Sequence, residues 1–143
     1  MLQTRIIDRP AWLRFPMGGV YLLGGLVHAF FWINDPAIYE EFGHLALLDS
    51  YRELWNGLVV PNLGHLVPMV VVFEIGVGLA VLGRGPIARA GNLFGGGFQL
   101  ALVPSGPWGP INLGFAVLHA YLLRLTAPES KTRPGSSGSE SGE

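Results

Sequence analysis

The chain has 143 residues, of which half are hydrophobic and only 13% charged, with a mean hydropathy of +0.41. Soluble domains carry ~25% charged residues, so the deficit points to a single domain buried in lipid. A net charge of -1 leaves no basic footprint for nucleic acid, and the lack of cysteine excludes disulfides, thiol relays and cysteine-held iron–sulfur clusters.

Four apolar blocks follow one another, at about 17–33, 58–82, 87–103 and 110–125. A membrane-spanning helix needs ~20 residues, within a range of ~17–25. The second block is comfortable and the first sufficient, while the last two are short and need flanking residues or a thinner bilayer. The first block follows a basic stretch, as a signal peptide would. Ala29-Phe30-Phe31-Trp32-Ile33 offers no small-residue cleavage site, so the block reads as a retained span.

The segment between the first two blocks carries its own pattern. Asp35-Pro36 reads as an N-cap with proline at the first helical position. Ile38, Phe42 and Leu45 recur at helical spacing, and Leu48, Tyr51 and Trp55 continue the stripe. This predicts an amphipathic outer-loop helix lying in the interface or capping the bundle mouth, ended by Asn56-Gly57. Pro104, Pro107 and Pro110 stiffen the link before the fourth block. Residues 126–143, rich in Pro, Ser, Gly and Glu, read as a disordered cytoplasmic tail.

The charges agree with this partition. Four crossings put eight of the nine basic residues on one side: Arg5, Arg9 and Arg14, then Arg84 and Arg89, then Arg124, Lys131 and Arg133. Arg52 alone falls on the other side, among Asp35, Glu40, Glu41, Asp49 and Glu53. The positive-inside rule then makes both termini cytoplasmic. Trp12 on the inner side and Trp32, Trp55 and Trp108 on the outer side fit an interfacial aromatic belt. The expected fold is an all-α integral membrane four-helix bundle over residues 1–125 in the cytoplasmic membrane, with the lipid bilayer as its first partner.

Glu74 is the one formally charged residue between Leu58 and Leu82. Bare hydrocarbon would cost it several kcal/mol, so it must face protein or a wet cavity. It reads either as a proton-titrating group or ligand anchor, or as a structural hydrogen-bond partner pinning its helix to a neighbour. At ~1.5 Å per residue from the inner ends, Glu74 lies ~12 Å deep and His119 ~9 Å, while His28 and Gln99 both lie ~16 Å deep. Depth thus groups Glu74 with His119 and His28 with Gln99. His28 stands one turn after Gly24-Gly25, whose exposed backbone leaves a gap for a ligand ring or for another helix. His119 reads first as a helix contact, and His65 as interfacial. No two histidines share a segment, so nothing points to haem or metal, and there is no Walker loop, nucleophile elbow or HExxH pattern. Gly91-x-x-x-Gly95 and Gly76-x-x-x-Ala80 give smooth faces for close helix approach.

The stretch Phe73-Glu74-Ile75-Gly76-Val77-Gly78-Leu79-Ala80-Val81-Leu82-Gly83-Arg84, with Arg89 after a short link, resembles the DoxX-like membrane proteins. Arg14 before the first span and Gly24-Gly25 within it are similar too, so the likeness covers roughly residues 14 to 125. Where that family often carries a lysine one turn after the first-span glycine, this chain has His28. The resemblance implies a group named for the small membrane subunit of a thiosulfate:quinone oxidoreductase. Some of its members are tied to redox complexes or stress-related membrane assemblies. It transfers no catalytic residue. The expectation is an accessory or binding subunit that holds a quinone, lipid or redox partner near Glu74 and His28, with Gln99 and His119 as further candidate ligand-binding residues, and that sits in a redox complex or homo-oligomer. A small proton-coupled transporter and a purely structural assembly protein are the alternatives. An enzyme acting alone is the least expected.

Overall fold

The structure, a computed structural model, describes residues 11–126, and these form helices and turns with no strand. The tail expected from residue 126 onward lies outside the described residues apart from Thr126, as do Arg5, Arg9, Lys131 and Arg133. After a 3-10 turn at Ala11–Leu13 come α1 (Arg14–Asn34), α2 (Ile38–His44) and α3 (Asp49–Leu54). The chain winds on through a π-helical turn, Trp55–Val59, and a 3-10 turn, Val60–Asn62, into α4 (Leu63–Leu82). Then follow α5 (Gly85–Leu102) and α6 (Gly109–Leu125). The four apolar blocks therefore coincide with α1, α4, α5 and α6 to within a turn at most ends.

Two helical stretches are long and apolar enough to cross a membrane: Arg14–Asn34, of 21 residues, and Asp49–Leu82, of 34 residues. The second overturns one expectation, because Asn56-Gly57 does not end the outer-loop helix. Pro61 has no N–H to donate, and the ladder loosens around it into the π and 3-10 turns. Asn62 Nδ2 donates to Leu58 O at 2.7 Å and occupies a carbonyl in that loosened stretch. Asp35 also differs from its expected role. It ends α1, its N–H donating to Phe31 O at 2.8 Å, while α2 starts at Ile38 without a side-chain cap.

Packing runs in series: α1 on α4, α4 on α5, and α5 on α6. Small residues set the approach distances. A Cβ on Gly18 would lie 3.0 Å from Gly78 O, and one on Gly78 would lie 3.0 Å from Gly18 O, so α1 and α4 cross nearly backbone to backbone there. A Cβ on Gly91 would come within 2.9 Å of Val81 N, which fixes α5 against α4. Of the pair Gly76-x-x-x-Ala80, Ala80 faces Gly91, but Gly76 looks out into open space, and Gly78 takes the expected packing role. Around these contacts Met17, Tyr21, Val77, Val81 and Leu122 form the buried core, with Phe73 and Phe98 packed beside it, their rings tilted and their centroids 5.0 Å apart.

The outer end, where α2 lies, is a built cap. Leu47 N–H donates to Pro104 O at 2.9 Å, joining the α2–α3 turn to the α5–α6 link. That link passes through Gly106 at φ +94, a left-handed conformation suited to glycine, with its Cα against Leu45 O.

The glycines yield a paired prediction for thermal unfolding in detergent. Gly91→Ala should lose ~1–3 kcal/mol through overpacking against α4 backbone. Gly76→Ala, with nothing to strike, should be neutral or gain up to ~1 kcal/mol of helix propensity.

Candidate functional site

The bundle interior holds two polar groupings, and they differ from the pairing that depth along the helices gives. His28 faces Glu74, with Nε2 3.8 Å from Oε1. His119 and Gln99 meet at Tyr21. Depth failed because helical side chains lean toward their own N-terminus. On antiparallel α1 and α4 this tilts His28 inward and Glu74 outward, so the two converge although their Cα atoms start at different heights. In addition α1 begins at Arg14, a turn earlier than the apolar block, and Leu82 at the inner end of α4 packs on Gly18 rather than on the start of α1.

Glu74 is 7% exposed. Its carboxyl group lies against Gly24: a Cβ there would come within 3.1 Å of Oε2 and 3.2 Å of Oε1. The gap that Gly24-Gly25 opens in α1 is therefore filled by Glu74 and by Ile75, whose side chain sits over Gly25, and not by a ligand ring. Oε2 is buried without a hydrogen-bond partner in the protein. Glu74 and His28 make a net-neutral pair either as acid and imidazole or as carboxylate and imidazolium, so neither state leaves a net charge in the interior.

The other ring nitrogen of His28 reaches the cap. Nδ1 lies 2.9 Å from Tyr39 Oη, and Oη lies 3.1 Å from His28 O, with the two rings stacked at 5.8 Å. Trp55 Nε1 donates to Tyr39 O at 2.7 Å and holds α2 in place. Burial, with the negative charge of Glu74 adding to it, pushes the Tyr39 phenol up to about 12. Tyr39 thus remains a protonated donor throughout the physiological range. If it donates to the carbonyl, Nδ1 can carry the imidazole proton; if it donates to Nδ1, Nε2–H is turned toward Glu74.

The second grouping is a chain of hydrogen bonds, open at one end, where Gln99 Oε1 is buried without a partner. Asn92 Nδ2 donates to Ala88 O at 2.7 Å, which turns Oδ1 toward His119 Nδ1 at 3.0 Å and makes Nδ1 the protonated nitrogen. Nε2 of a neutral His119 then accepts from Tyr21 Oη at 3.0 Å, and Gln99 Nε2 donates to the same hydroxyl at 3.1 Å. Tyr21 Oη is also 3.0 Å from Gly95 O. A Cβ on Gly95 would strike the His119 ring, so glycine is what lets the ring lie against α5. His119 is fully buried, and this chain ties α1, α5 and α6 together. The structure thus puts His119 in a helix contact and groups Gln99 with it, away from His28. His44 and His65 are exposed and join neither grouping.

Above His28 lies a cavity of about 540 Å³ between the outer halves of α1 and α6. Its walls are mostly aromatic, with Phe31, Tyr39, Phe42, Trp55, Trp108 and Phe115 contributing rings. His28, Tyr39, Ser105 and Asn112 bring polar groups to it. Ligand sites typically occupy ~300–1,000 Å³ and combine apolar walls with a few polar groups. Glu74 does not line this cavity and acts on it only through His28. No cluster of metal-ligating side chains occurs among the described residues.

Sequence reasoning missed Tyr21, Asn92 and Tyr39. Helical spacing held a signal for the first two: Tyr21, Gly25 and His28 fall on one face of α1, and Asn92, Gly95 and Gln99 on one face of α5. Tyr39 had no such signal, since its partner belongs to another helix. Comparison with family models, curated proteins and solved structures finds no match to this chain.

The Tyr39 phenol makes a pH prediction. Its ordinary value of 10.0 is raised in the fold to about 12, so its contribution to stability is full below pH ~10 and falls as pH rises through ~12. Unfolding followed by circular dichroism should show alkaline loss of stability in that window, and Tyr39→Phe should lessen it, Tyr51 being raised by burial as well. An unchanged alkaline slope in Tyr39→Phe would contradict the assignment.

Proposed function

We propose that the chain is a DoxX-like integral membrane protein, with four spans and both termini cytoplasmic, that serves as an accessory or binding subunit. In this reading α1, α4, α5 and α6 are the spans, and the cavity holds a quinone or a lipid on behalf of a redox partner or a homo-oligomer. The observation that carries the reading is the aromatic cavity floored by His28, with Glu74 hidden behind it.

Several features support the membrane setting. Large apolar side chains cover the outside of the bundle, among them Leu23, Phe30, Val72, Leu79, Phe94 and Val117. The polar residues Glu74, Asn92, Gln99 and His119 are turned inward. This distribution suits hydrocarbon, where polar side chains face the bundle interior. The described charges follow the same division: Arg14, Arg84, Arg89 and Arg124 lie at or near helix ends away from the cap, and the acidic cluster lies on the cap.

A binding role follows from the differing states of the two polar groupings. Tyr21, His119 and Asn92 have their hydrogen bonds within the protein, as a structural clasp requires. His28 instead borders an apolar cavity and couples to a buried acid. A ligand carbonyl or hydroxyl beside His28 would meet a group able to donate or accept, with Glu74 supplying or receiving the balancing proton.

Membrane extraction in mild detergent, followed by mass spectrometry of the co-purified small molecules, tests this. The wild-type chain should carry a quinone or lipid near one per protein. Glu74→Gln and His28→Phe should reduce its retention about tenfold, the equivalent of ~1.4 kcal/mol. A folded wild-type protein without any ligand above the detergent background would contradict the proposal.

A further inference from the structure

We infer that the cavity is loaded sideways from the hydrocarbon phase, through the cleft between the outer halves of α1 and α6, and that its ligand is an amphiphile with a flat hydrogen-bonding head and a hydrocarbon tail left lying in the cleft. The inference rests on the membrane-binding reading above and names the ligand class and its route.

The cleft follows from how the bundle closes. Helices pack in the series α1–α4–α5–α6, and the ends of that series, α1 and α6, are drawn together through the Tyr21–His119 clasp. Tyr21 lies in the inner half of α1 and His119 in the inner half of α6. Outward of the clasp the two helices are held apart by the cavity, with Val27 and Phe31 on one wall and Ile111 and Phe115 on the other.

The roof is fastened on both sides. Tyr39 is hydrogen-bonded to His28 on α1, Trp55 Nε1 holds the Tyr39 backbone, and Leu47 N–H holds Pro104 O on the α5–α6 link. These bonds brace the roof against both α1 and the α5–α6 link. The side is unfastened: Val27, Ile111 and Trp108 line the cavity and yet are 42%, 50% and 54% exposed. They mark where the cavity meets the exterior, and all three are large and apolar. Among the described residues no Asp, Glu, Lys or Arg lines the cavity, so its mouth suits acyl chains and not an ion or a sugar.

The inside sets the head group. His28 and Tyr39 bring polar groups from the α1 side, and Ser105 and Asn112 bring them from the α6 side. Tyr39 is taken up by His28, and Asn112 Nδ2 by Leu102 O at 3.0 Å with Ser105 Oγ at 3.5 Å. That leaves His28 Nε2, 3.8 Å from Glu74 and without a hydrogen bond, as the group a pure hydrocarbon would leave unanswered. Six aromatic rings between them favour a planar head. At about 540 Å³ the space suits a ring system with a short length of chain, so any longer tail must leave through the cleft.

The test uses the intrinsic tryptophans. In a Trp12→Phe/Trp32→Phe background the two remaining tryptophans, Trp55 and Trp108, both line the cavity. The protein is placed in phosphatidylcholine nanodiscs and mixed with a decyl-tailed benzoquinone, or with the same benzoquinone lacking the tail, at matched membrane concentration. The tailed probe should quench saturably and the tail-less one should not. Val27→Phe/Ile111→Phe, checked for unchanged helicity and elution, should slow the onset about tenfold, within the ~1–3 decades over which on-rates of related sites differ. Leu47→Pro, which removes the N–H that fastens the roof to Pro104 O and does not line the cavity, should leave the onset unchanged. An onset indifferent to the cleft pair but faster in Leu47→Pro would overturn sideways loading, leaving the binding reading intact. Equal saturable quenching by both probes would overturn the tailed ligand class. Absence of saturable quenching by either would overturn the binding reading and this inference with it.

Discussion

A carboxyl group in the middle of an apolar helix has to be met from inside the protein, and the arrangement of this chain follows from how Glu74 is met. Gly24 clears the space for its carboxyl, and His28, leaning inward from one turn further along α1, comes to within 3.8 Å of it. That meeting fixes the register of α1 on α4. The Gly18–Gly78 crossing lies on the same seam two turns inward and allows the backbones to close. A side chain at Gly24 would push out the acid, and one at Gly78 would part the helices, so seam and polar pair stand or fall together.

With α1 held on α4, the remaining polar residues divide by task. Tyr21, Asn92 and His119 are spent on one another, Gln99 joins them through its amide nitrogen, and through them α1 is tied to α5 and α6. His28 is left with a half-open surroundings: one nitrogen toward Glu74, the other toward Tyr39 in the cap, and an aromatic cavity beside the ring. The clasp draws the inner halves of α1 and α6 together, and the cap spans them at the outer end. The cavity is the space left between these two closures.

Much of the fold was legible because each long helix is an apolar run punctuated by Gly, Pro or Arg. Gly83-Arg84-Gly85 and the prolines from Pro104 to Pro110 stop and restart the chain where the sequence pattern put the breaks. The run from Asp49 to Leu82 was harder, since Asn56-Gly57 and Pro61 look like terminators, yet a π and a 3-10 turn absorb them without ending the helix. Asp35 looked like the cap of α2 and instead closes α1. Within the site, Glu74 and His28 stood out by composition, but depth along the helices paired them wrongly. Depth counts Cα positions and ignores the opposite lean of side chains on antiparallel helices. Tyr21 was hidden by its aromatic character in an apolar run, and Gly76 faces away from the seam because the two residues from it to Gly78 turn the contact face by about 200°.

The account depends most on the bundle lying across a bilayer with the cap on the outer side. The chain has no native cysteine, so single cysteines can report sidedness directly. Four variants, Ser50→Cys in the cap, Pro107→Cys in the α5–α6 link, Pro86→Cys at the start of α5 and Thr126→Cys after α6, are labelled in intact cells with a membrane-impermeant maleimide. The account predicts labelling of the first two in intact cells, and of the last two only after permeabilisation. Labelling of Pro86→Cys and Thr126→Cys from opposite faces, or of either from the same face as Ser50→Cys, would contradict it.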